Sequence, residues 1–273
     1  NQGVPFIDRS FVSGDFFYRK LDDGSIEITE YIGDGGYVDI PEQIEGSSVT
    51  SIGKMAFYRR DDINGLSISN TVVQIGESAF EYCDGITEVH ISDNVMNIGK
   101  RAFRNCPNLK IYGGTGSCAH RYAESDNIAF LDPSSTLTYD GFVYKEIGDQ
   151  KVEIVNYIGN ADHVYVPAFI EGKAVVSIGI SAFSGNTGIR ELDIDDKIEE
   201  IKESAFYACT NLEYITLPDQ LSKLERGILR ECSSLKSINI PYTVNEISSI
   251  VFLGCNSLVD VEIPDGVTHI GES

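Results

Sequence analysis

The nonapeptide IGESAFEYC, residues 75–83, recurs along this chain at intervals of 23 residues, in two series. The related stretches are IGKMAFYRR at 52–60, IGKRAFRNC at 98–106, IGISAFSGN at 178–186, IKESAFYAC at 201–209, LERGILREC at 224–232, ISSIVFLGC at 247–255 and the fragment IGES at 270–273. A second phrase recurs between them, as LSIS at 66–69, VHIS at 89–92, LDID at 192–195, ITLP at 215–218, INIP at 238–241 and VEIP at 261–264. A fixed period of this length indicates stacked repeat units.

One full unit, CTNLEYITLPDQLSKLERGILRE at 209–231, predicts a short strand followed by a turn. Ile215 and Leu217 show the two-residue alternation of a strand with one buried face. Pro218 ends this strand because proline cannot donate a hydrogen bond to a ladder. The segment SAFYAC, 204–209, is expected to form about one helical turn with Ala, Phe and Cys inward. A single unit cannot bury its apolar face alone, so stacked units must share a continuous core.

The repeat has the pattern C-x-x-L-x-x-I-x-I-P-x-x-V-x-x-I-G-x-x-A-F, over about residues 38–112 and 164–271. This pattern resembles the BspA-like leucine-rich repeat, which belongs to a family of bacterial surface proteins. The resemblance implies one strand per unit, in a parallel sheet that lines a concave face. One unit departs from the pattern, with Glu225 in place of glycine and Ile228–Leu229 in place of Ala-Phe. Apolar residues still fill the core of that unit.

The chain also contains an internal duplication. DFFYRKLDDGSIEITEYIG at 15–33 matches GFVYKEIGDQKVEIVNYIG at 141–159, at an offset of 126 residues. Each copy opens with two β-rich stretches around a polar turn, which is typical of a hairpin. We therefore predict a leucine-rich-repeat solenoid, β-rich with short helical turns. It comprises two tandem arrays of 23-residue units, each preceded by a β-hairpin.

The predicted domains are residues 1–133 and 134–273. The first closes with YGGTGSCAHRYAESDNIAFLDPSS at 112–135, which resembles the terminator of this family: a glycine-rich turn, a short helix and a final strand. The second is truncated in its last repeat, at IGES. We expect the parent protein to continue or the chain to have been cut, with apolar surface exposed at this edge.

Composition limits the classes of partner. The formal net charge is −21 and the sequence pI is about 4.4, which disfavours nucleic acid and anionic membranes. Cationic patches on proteins, glycans and divalent cations suit such a surface, or the charge serves only solubility. No apolar run reaches the length of a membrane span, and the opening NQGVPFIDRS lacks the features of a signal peptide.

Cysteine is the first candidate for chemistry. Five of the six cysteines occupy one phase of the repeat: Cys83, Cys106, Cys209, Cys232 and Cys255. A nucleophile needs one special environment, so five equivalent positions favour a ladder of small buried side chains with free thiols. No CxxC or Cys/His spacing indicates zinc. Cys118, in the terminator helix, either packs against the core or is reactive if exposed.

The other candidates for chemistry are weaker. None of the four histidines lies near a second histidine or a unique nucleophile in sequence, although His90 and His163 fall on strands and face outward. The acidic run ELDIDDKIEE, 191–200, lacks the spacing of an EF-hand loop, so a solvated strand end is favoured over calcium. No GxxxxGK, GxSxG or HExxH motif occurs. We predict no catalytic, cofactor-binding or metal-binding residue, no cofactor and no enzymatic activity.

The remaining candidate is the outward face of the strands, where aromatic and acidic residues alternate with buried ones. The predicted ligand-binding residues are Ser67, Glu88, His90, Tyr112, Tyr165, Asp193, Tyr214, Thr216, Asn239 and Glu262. The predicted function is recognition or adhesion by a secreted or surface-displayed bacterial protein, without nucleic-acid binding or membrane insertion. The resemblance implies host extracellular-matrix or cell-surface proteins as ligands, with glycans as another candidate. The alternative function is a structural spacer that displays another domain.

Overall fold

The computed structural model describes residues 11–259 and 261–272. The chain forms two compact units, divided between Pro133 and Ser134. Each unit has its own continuous apolar core, built from the inward side chains of successive rungs.

The first unit contains twelve strands and one helix within its described residues. These are β1 (Phe11–Ser13), β2 (Phe16–Lys20), β3 (Ile26–Tyr31), β4 (Gly36–Asp39), β5 (Gln43–Ile44), β6 (Ser47–Ile52), β7 (Ile63–Ile68), β8 (Gln74–Ile75), β9 (Glu88–Ile91), β10 (Asn97–Ile98), β11 (Lys110–Tyr112), α1 (Cys118–Asp126) and β12 (Ala129–Leu131). One sheet has the order β1-β2-β3-β6-β8-β10, with β5 paired to β6, and the other has the order β12-β11-β9-β7-β4. Every pairing in the second sheet is parallel.

The second unit repeats this plan. Its strands are β13 (Thr136–Tyr139), β14 (Phe142–Gly148), β15 (Lys151–Tyr157), β16 (His163–Val166), β17 (Phe169–Ile170), β18 (Lys173–Ile178), β19 (Glu191–Ile194), β20 (Glu200–Ile201), β21 (Tyr214–Thr216), β22 (Lys223–Leu224), β23 (Ser237–Ile238), β24 (Glu246–Ile247) and β25 (His269–Ile270). The sheets have the orders β13-β14-β15-β18-β17 with β20 on β18, β16-β19-β21-β23, and β22-β24-β25.

This architecture confirms the predicted β-rich solenoid. The expected hairpins are β2–β3 and β14–β15, and a preceding strand, β1 or β13, adds to each of them. The terminator helix is present as α1, with Ser117 as its N-cap and Asn127 in the left-handed conformation at its end. In the last unit, the side chains of Val259, Ile263 and Ile270 are exposed.

The Ala-Phe segments differ from the predicted short helical turns. In 204–209, Ser204 and Ala208 have φ values of +56° and +55°, which no α-helix contains. The amides of Ser204, Phe206 and Ala208 donate to carbonyls of the next rung, over 3.1, 3.0 and 2.8 Å. The amides between them close turns within their own rung. Every second amide therefore forms a hydrogen bond between rungs, whereas a helix would keep every amide hydrogen bond within one rung.

Phenylalanine rings of successive rungs stack, and a tyrosine continues the row at each end, edge-on in the case of Tyr122. The centroids of Tyr31, Phe57, Phe80, Phe103 and Tyr122 follow one another at 5.1, 4.7, 4.9 and 5.9 Å. Each such pair stabilises by about 0.5–1.5 kcal/mol beyond the burial of its surface. The stack lies beside the backbone hydrogen bonds that set the spacing of the rungs and of the strands of the sheet face.

Candidate functional site

The sheet face of the first unit is the outward side of β4, β7, β9 and β11. Ser67, His90 and Tyr112 lie in one row, because His90 is the register partner of both of the others. The rings of His90 and Tyr112 stack at 4.6 Å with an interplanar angle of 11°. Glu88 lies in the adjacent row, between Gly65 and Lys110. Burial, and then the charge of Glu88, raises the pKa of Tyr112. The four predicted residues of this unit therefore form one surface.

Two residues on β4 extend this surface and were missed by the sequence analysis. Asp39 is the register partner of Ser67, and Tyr37 pairs with Gly65. The Tyr37 ring covers Gly65 so closely that a Cβ there would lie 2.8 Å from the ring, so a larger residue would displace the ring. The signal was present, since VDIP at 38–41 repeats the strand phrase.

The sheet face of the second unit is the outward side of β16, β19, β21 and β23. Tyr165, Asp193 and Thr216 form one row, and His163, Glu191 and Tyr214 form the next. The structure thus brings together four of the predicted ligand-binding residues. His163 and Glu191, which are not in the predicted set, lie among them. This face is exposed at Tyr165 and Tyr214, whose side chains project from rigid strands.

Hydrogen bonds join the polar groups of this second face. Asp193 accepts from the Thr216 hydroxyl at 2.7 Å, and its other oxygen lies 2.8 Å from Nε2 of His163. The Tyr165 hydroxyl donates to Asp195 over 2.6 Å. The bond to Asp193 raises the pKa of His163, and the bonds from Thr216 and His163 lower the pKa of Asp193. The row is therefore a pre-organised set of acceptors and aromatic surface.

Cations also lie on this face. Lys236 pairs with Glu213 and has its ammonium 5.2 Å from the centroid of the Tyr214 ring. Arg190 binds the same carboxylate, with its Nε at 3.1 Å from Glu213. The face can therefore accommodate positive groups against aromatic rings, which is a mode of recognition in its own right.

Asn239 and Glu262, the last two predicted residues, line an open pocket one and two rungs further along. Tyr242, Ile263 and Asp265 also contribute to its wall. Tyr242 is 77% exposed, so its ring is available for contact. The pocket therefore places two of the predicted sheet-face residues beside an exposed aromatic ring.

The five cysteines that share one repeat position have a structural role. Each thiol donates to a carbonyl of the preceding rung: Cys83 to Phe57 at 2.9 Å, Cys106 to Phe80 at 3.2 Å, Cys209 to Phe183, Cys232 to Phe206 and Cys255 to Leu229, the last three at 3.1 Å. Burial raises the pKa of Cys83 to about 12 and that of Cys255 to about 11. The predicted ladder of buried free thiols is confirmed. Cys118 is half-buried at the start of α1.

Two carboxylates of the acidic run 191–200 accept hydrogen bonds from other groups of the chain. Asp195 accepts from the Lys197 amide at 3.0 Å as well as from Tyr165, and Asp196 accepts from the Asp219 amide at 3.1 Å. Among residues 11–259 and 261–272, no group of three or more potential metal ligands converges. These contacts support the interpretation of this run as a strand end.

Among the residues that the structure describes, Glu153 is the most deeply buried carboxylate, and the sequence did not single it out. It lies between Lys145 at 3.1 Å, Ser177 at 3.0 Å and Lys202. Burial alone would raise the pKa of Glu153, but the two ammonium groups hold it below its usual value. Since every partner is a side chain of the same unit, the cluster ties the hairpin to the repeats.

The fold and its faces define a class: a repeat solenoid of parallel strands joined by hydrogen-bonded turns. The family model described as BspA type leucine rich repeat region matches residues 38–118 and 166–273, in six copies. The match covers more than half of the chain, which therefore belongs to the BspA-type leucine-rich repeat family, as the resemblance implied.

Several solved structures are similar. A leucine rich cell surface protein from Faecalibacterium prausnitzii A2-165 has a TM-score of 0.48 and 19% identity, over 97% of this chain and 94% of that chain. The pneumococcal vaccine antigen PcpA has a TM-score of 0.49 and 16% identity, over 96% and 85%. The T. pallidum leucine rich repeat protein has a TM-score of 0.35 and 23% identity, over 90% and 89%. No curated protein matches the chain. The family assignment rests on the family model, not on these similarities.

Helix α1 is too short to cross a membrane, and no other helix of the described residues could do so.

Proposed function

We propose that this chain is a non-enzymatic recognition module, secreted or displayed on a bacterial surface, that binds a host extracellular-matrix or cell-surface protein through its sheet faces. The observation that carries the proposal is the set of outward rows on rigid parallel strands. Tyr37, Ser67, His90 and Tyr112 extend over four strands of the first unit. Side chains held at fixed spacing lose little entropy on binding, which favours recognition.

The chemistry of the faces supports binding over catalysis. Asp193 and His163 are within hydrogen-bonding distance, but the hydroxyl beside them, that of Thr216, donates to Asp193 and not to His163, so the three lack the nucleophile-to-histidine contact of a catalytic dyad. The ladder thiols are buried with raised pKa values, so they are poor nucleophiles at neutral pH. Aromatic rings beside hydrogen-bonding groups are the composition of protein interfaces.

The test uses immobilised host matrix proteins and one variant in which Glu88, Tyr112, Asp193 and Tyr214 are all replaced by alanine. We expect binding to weaken by at least roughly tenfold, since central aromatic residues dominate such interfaces. The matched control replaces two acids and two tyrosines that lie off the sheet faces and are exposed: Glu77, Tyr82, Tyr139 and Glu200.

Unchanged binding by the sheet-face variant would reject these faces as the site. If the intact chain bound no matrix protein at all, the spacer function would be favoured instead. Equal losses in the two variants would indicate a general effect on the fold, which the melting temperature of each variant would reveal.

A further inference from the structure

The first sheet face holds carboxylates and tyrosine rings side by side. The Tyr37 ring and the Glu88 side chain meet over Gly65, where a Cβ would lie 2.8 Å from the ring and 3.1 Å from Cγ of Glu88. Asp39 lies two residues further along β4, and Tyr112 lies in the row that Asp39 begins. Tyr37 and Asp39 are exposed. We call Tyr37, Asp39, Glu88 and Tyr112 the acidic-aromatic patch.

The carboxylates of the patch act electrostatically on both of its rings. Burial raises the pKa of Tyr37, and the charges of Glu88 and then Asp39 raise it further. Burial, followed by the charge of Glu88, does the same for the pKa of Tyr112. The rings and the carboxylates are therefore close enough for a single cation to interact with both.

Elsewhere in the chain, a cation lies between a ring and a carboxylate. The Arg60 guanidinium is 4.6 Å from the centroid of the Tyr31 ring and 2.5 Å from the carboxylate of Asp62. On the second sheet face, Lys236 is placed in the same way. Such a cation gains both from the ring quadrupole and from a charge-assisted hydrogen bond.

In the patch, no cation of the described residues has this position. Neither Asp39 nor Glu88 forms an ion pair there, and no cation lies over the ring of Tyr37 or Tyr112. Many carboxylates lack an ion pair in a chain with 42 acids and 21 Lys and Arg, so the distinguishing feature is the rings beside these two. Lys110 is the register partner of Glu88, so the face has two carboxylates and one lysine.

The second copy of the duplication indicates that this composition is retained. Six outward positions on three strands of each face are related by 126 residues, and none keeps its residue type. The pairs are Tyr37 and His163, Asp39 and Tyr165, Gly65 and Glu191, Ser67 and Asp193, Glu88 and Tyr214, and His90 and Thr216. Each set nevertheless has two carboxylates, one histidine, one serine or threonine, and at least one tyrosine. Core packing does not require this, because these side chains point outward, whereas a shared ligand chemistry accounts for it.

We propose that the acidic-aromatic patch binds arginine or lysine side chains of the partner protein, each between a tyrosine ring and a carboxylate. This inference rests on the proposed function and names the chemistry of recognition at the first sheet face. Asp39 and Glu88 lie two strands and two residues apart, roughly 12 Å at the usual spacings, so a segment with two basic residues fits the patch. The net charge of −21 also attracts a basic segment.

The test measures binding of the full chain to a peptide of alternating arginine and serine, at about 0.15 M salt. The same peptide with citrulline in place of arginine keeps the side-chain shape without the charge. The patch variant carries Asp39→Asn and Glu88→Gln. The control carries Asp22→Asn and Glu30→Gln, at two exposed acids off the sheet face, and has the same net charge. We expect the patch variant to bind the arginine peptide roughly fivefold more weakly, and the control to bind it as the parent does.

A second pair of variants tests the rings. Tyr37→Leu with Tyr112→Leu should weaken binding of the arginine peptide by roughly threefold, because the cation then loses its aromatic contact. Tyr82→Leu with Tyr139→Leu, at two exposed tyrosines off the sheet face, should leave binding unchanged. The melting temperature of each variant shows whether the fold is retained.

Equal losses in the patch variant and its control would overturn the inference, because only bulk charge would then matter. It would also be overturned if the intact chain did not bind the arginine peptide, or bound the citrulline peptide equally well. A neutral oligosaccharide that bound with the same dependence on the patch would identify a glycan site instead.

These outcomes are distinct from failure of the proposed function. If the peptide results fail while the fourfold alanine variant still loses matrix-protein binding, the faces bind protein by another chemistry. If the peptide requires the patch but no matrix protein binds the intact chain, the proposed partner is wrong and the patch is still a site for basic side chains.

Discussion

The recurring cysteine shows how one side chain can serve every rung. Its thiol reaches the carbonyl of the preceding rung, 26 residues earlier, and its small volume fits the buried turn. Where the first unit lacks it, Arg60 takes the same position and donates to the carbonyls of Tyr31 at 2.8 Å and Gly33 at 2.5 Å. At this position in the first unit, arginine and cysteine both supply a hydrogen-bond donor, and cysteine does so without introducing a charge.

Thiol reactivity tests this role. In the native protein at pH 8, we expect a disulfide reagent to modify Cys118 at most, because burial raises the pKa of ladder thiols such as Cys83 to about 12. After denaturation, all six cysteines should react. The number of modified thiols is measured before and after unfolding, with Cys118→Ser as the control. Rapid modification of two or more thiols in the folded Cys118→Ser variant would contradict the ladder.

His163 provides a pH-dependent residue on the second sheet face. Its hydrogen bond to Asp193 raises the folded pKa above 6.5, so the contact stabilises fully below the unfolded pKa. This stabilisation is lost as pH rises through the folded pKa. We expect an NMR titration to give an imidazole pKa above 6.5, and Asp193→Asn to lower it. Asp219→Asn, at an exposed carboxylate, should leave it unchanged. A pKa at or below 6.5 in the intact chain would exclude the bond.

At the scale of elements, the Ala-Phe turn is the part of the repeat that the sequence did not specify. Ala, Phe and Cys at their spacing fit the inner side of a helical turn as well as that of two left-handed turns. The left-handed residues of the turn are mostly not glycine, and Met55, Ser78 and Arg101 all have φ near +60°. The residue types in the turn therefore did not indicate that it contains left-handed residues. Hydrogen bonds from the turn amides to carbonyls of the next rung offset this strain. These bonds form only when units stack, so a single unit does not contain them.

Paired glycine substitutions test this account of the turn. Met55, with φ of +59°, and Met96, which is not among the positive-φ residues, are both exposed methionines. We expect Met55→Gly to raise the free energy of unfolding by up to about 1 kcal/mol, because glycine relieves the left-handed strain. Met96→Gly should lower it by roughly 0.5–1 kcal/mol. Thermal or urea unfolding measures both, and the same sign for the two variants would contradict the turn geometry.

At the scale of the whole molecule, the sequence predicted the solenoid because its period is present in every rung. Strand alternation also placed Ser67, His90 and Tyr112 on one side, and the register brings them into a single row. The sequence could not predict the cluster around Glu153, because Lys202 is 49 residues away and stands where the first copy has Gly76. This cluster depends on which rungs become neighbours.

In the proposed function, the sheet faces bind a protein ligand. Hydrogen–deuterium exchange of the full chain tests it most directly, with and without a matrix protein that the chain retains on a surface. Binding through the sheet faces should slow exchange in β7, β9 and β11 or in β19 and β21 and leave the Ala-Phe turns unchanged. Slower exchange confined to the turns, with the sheet-face strands unaffected, would contradict it.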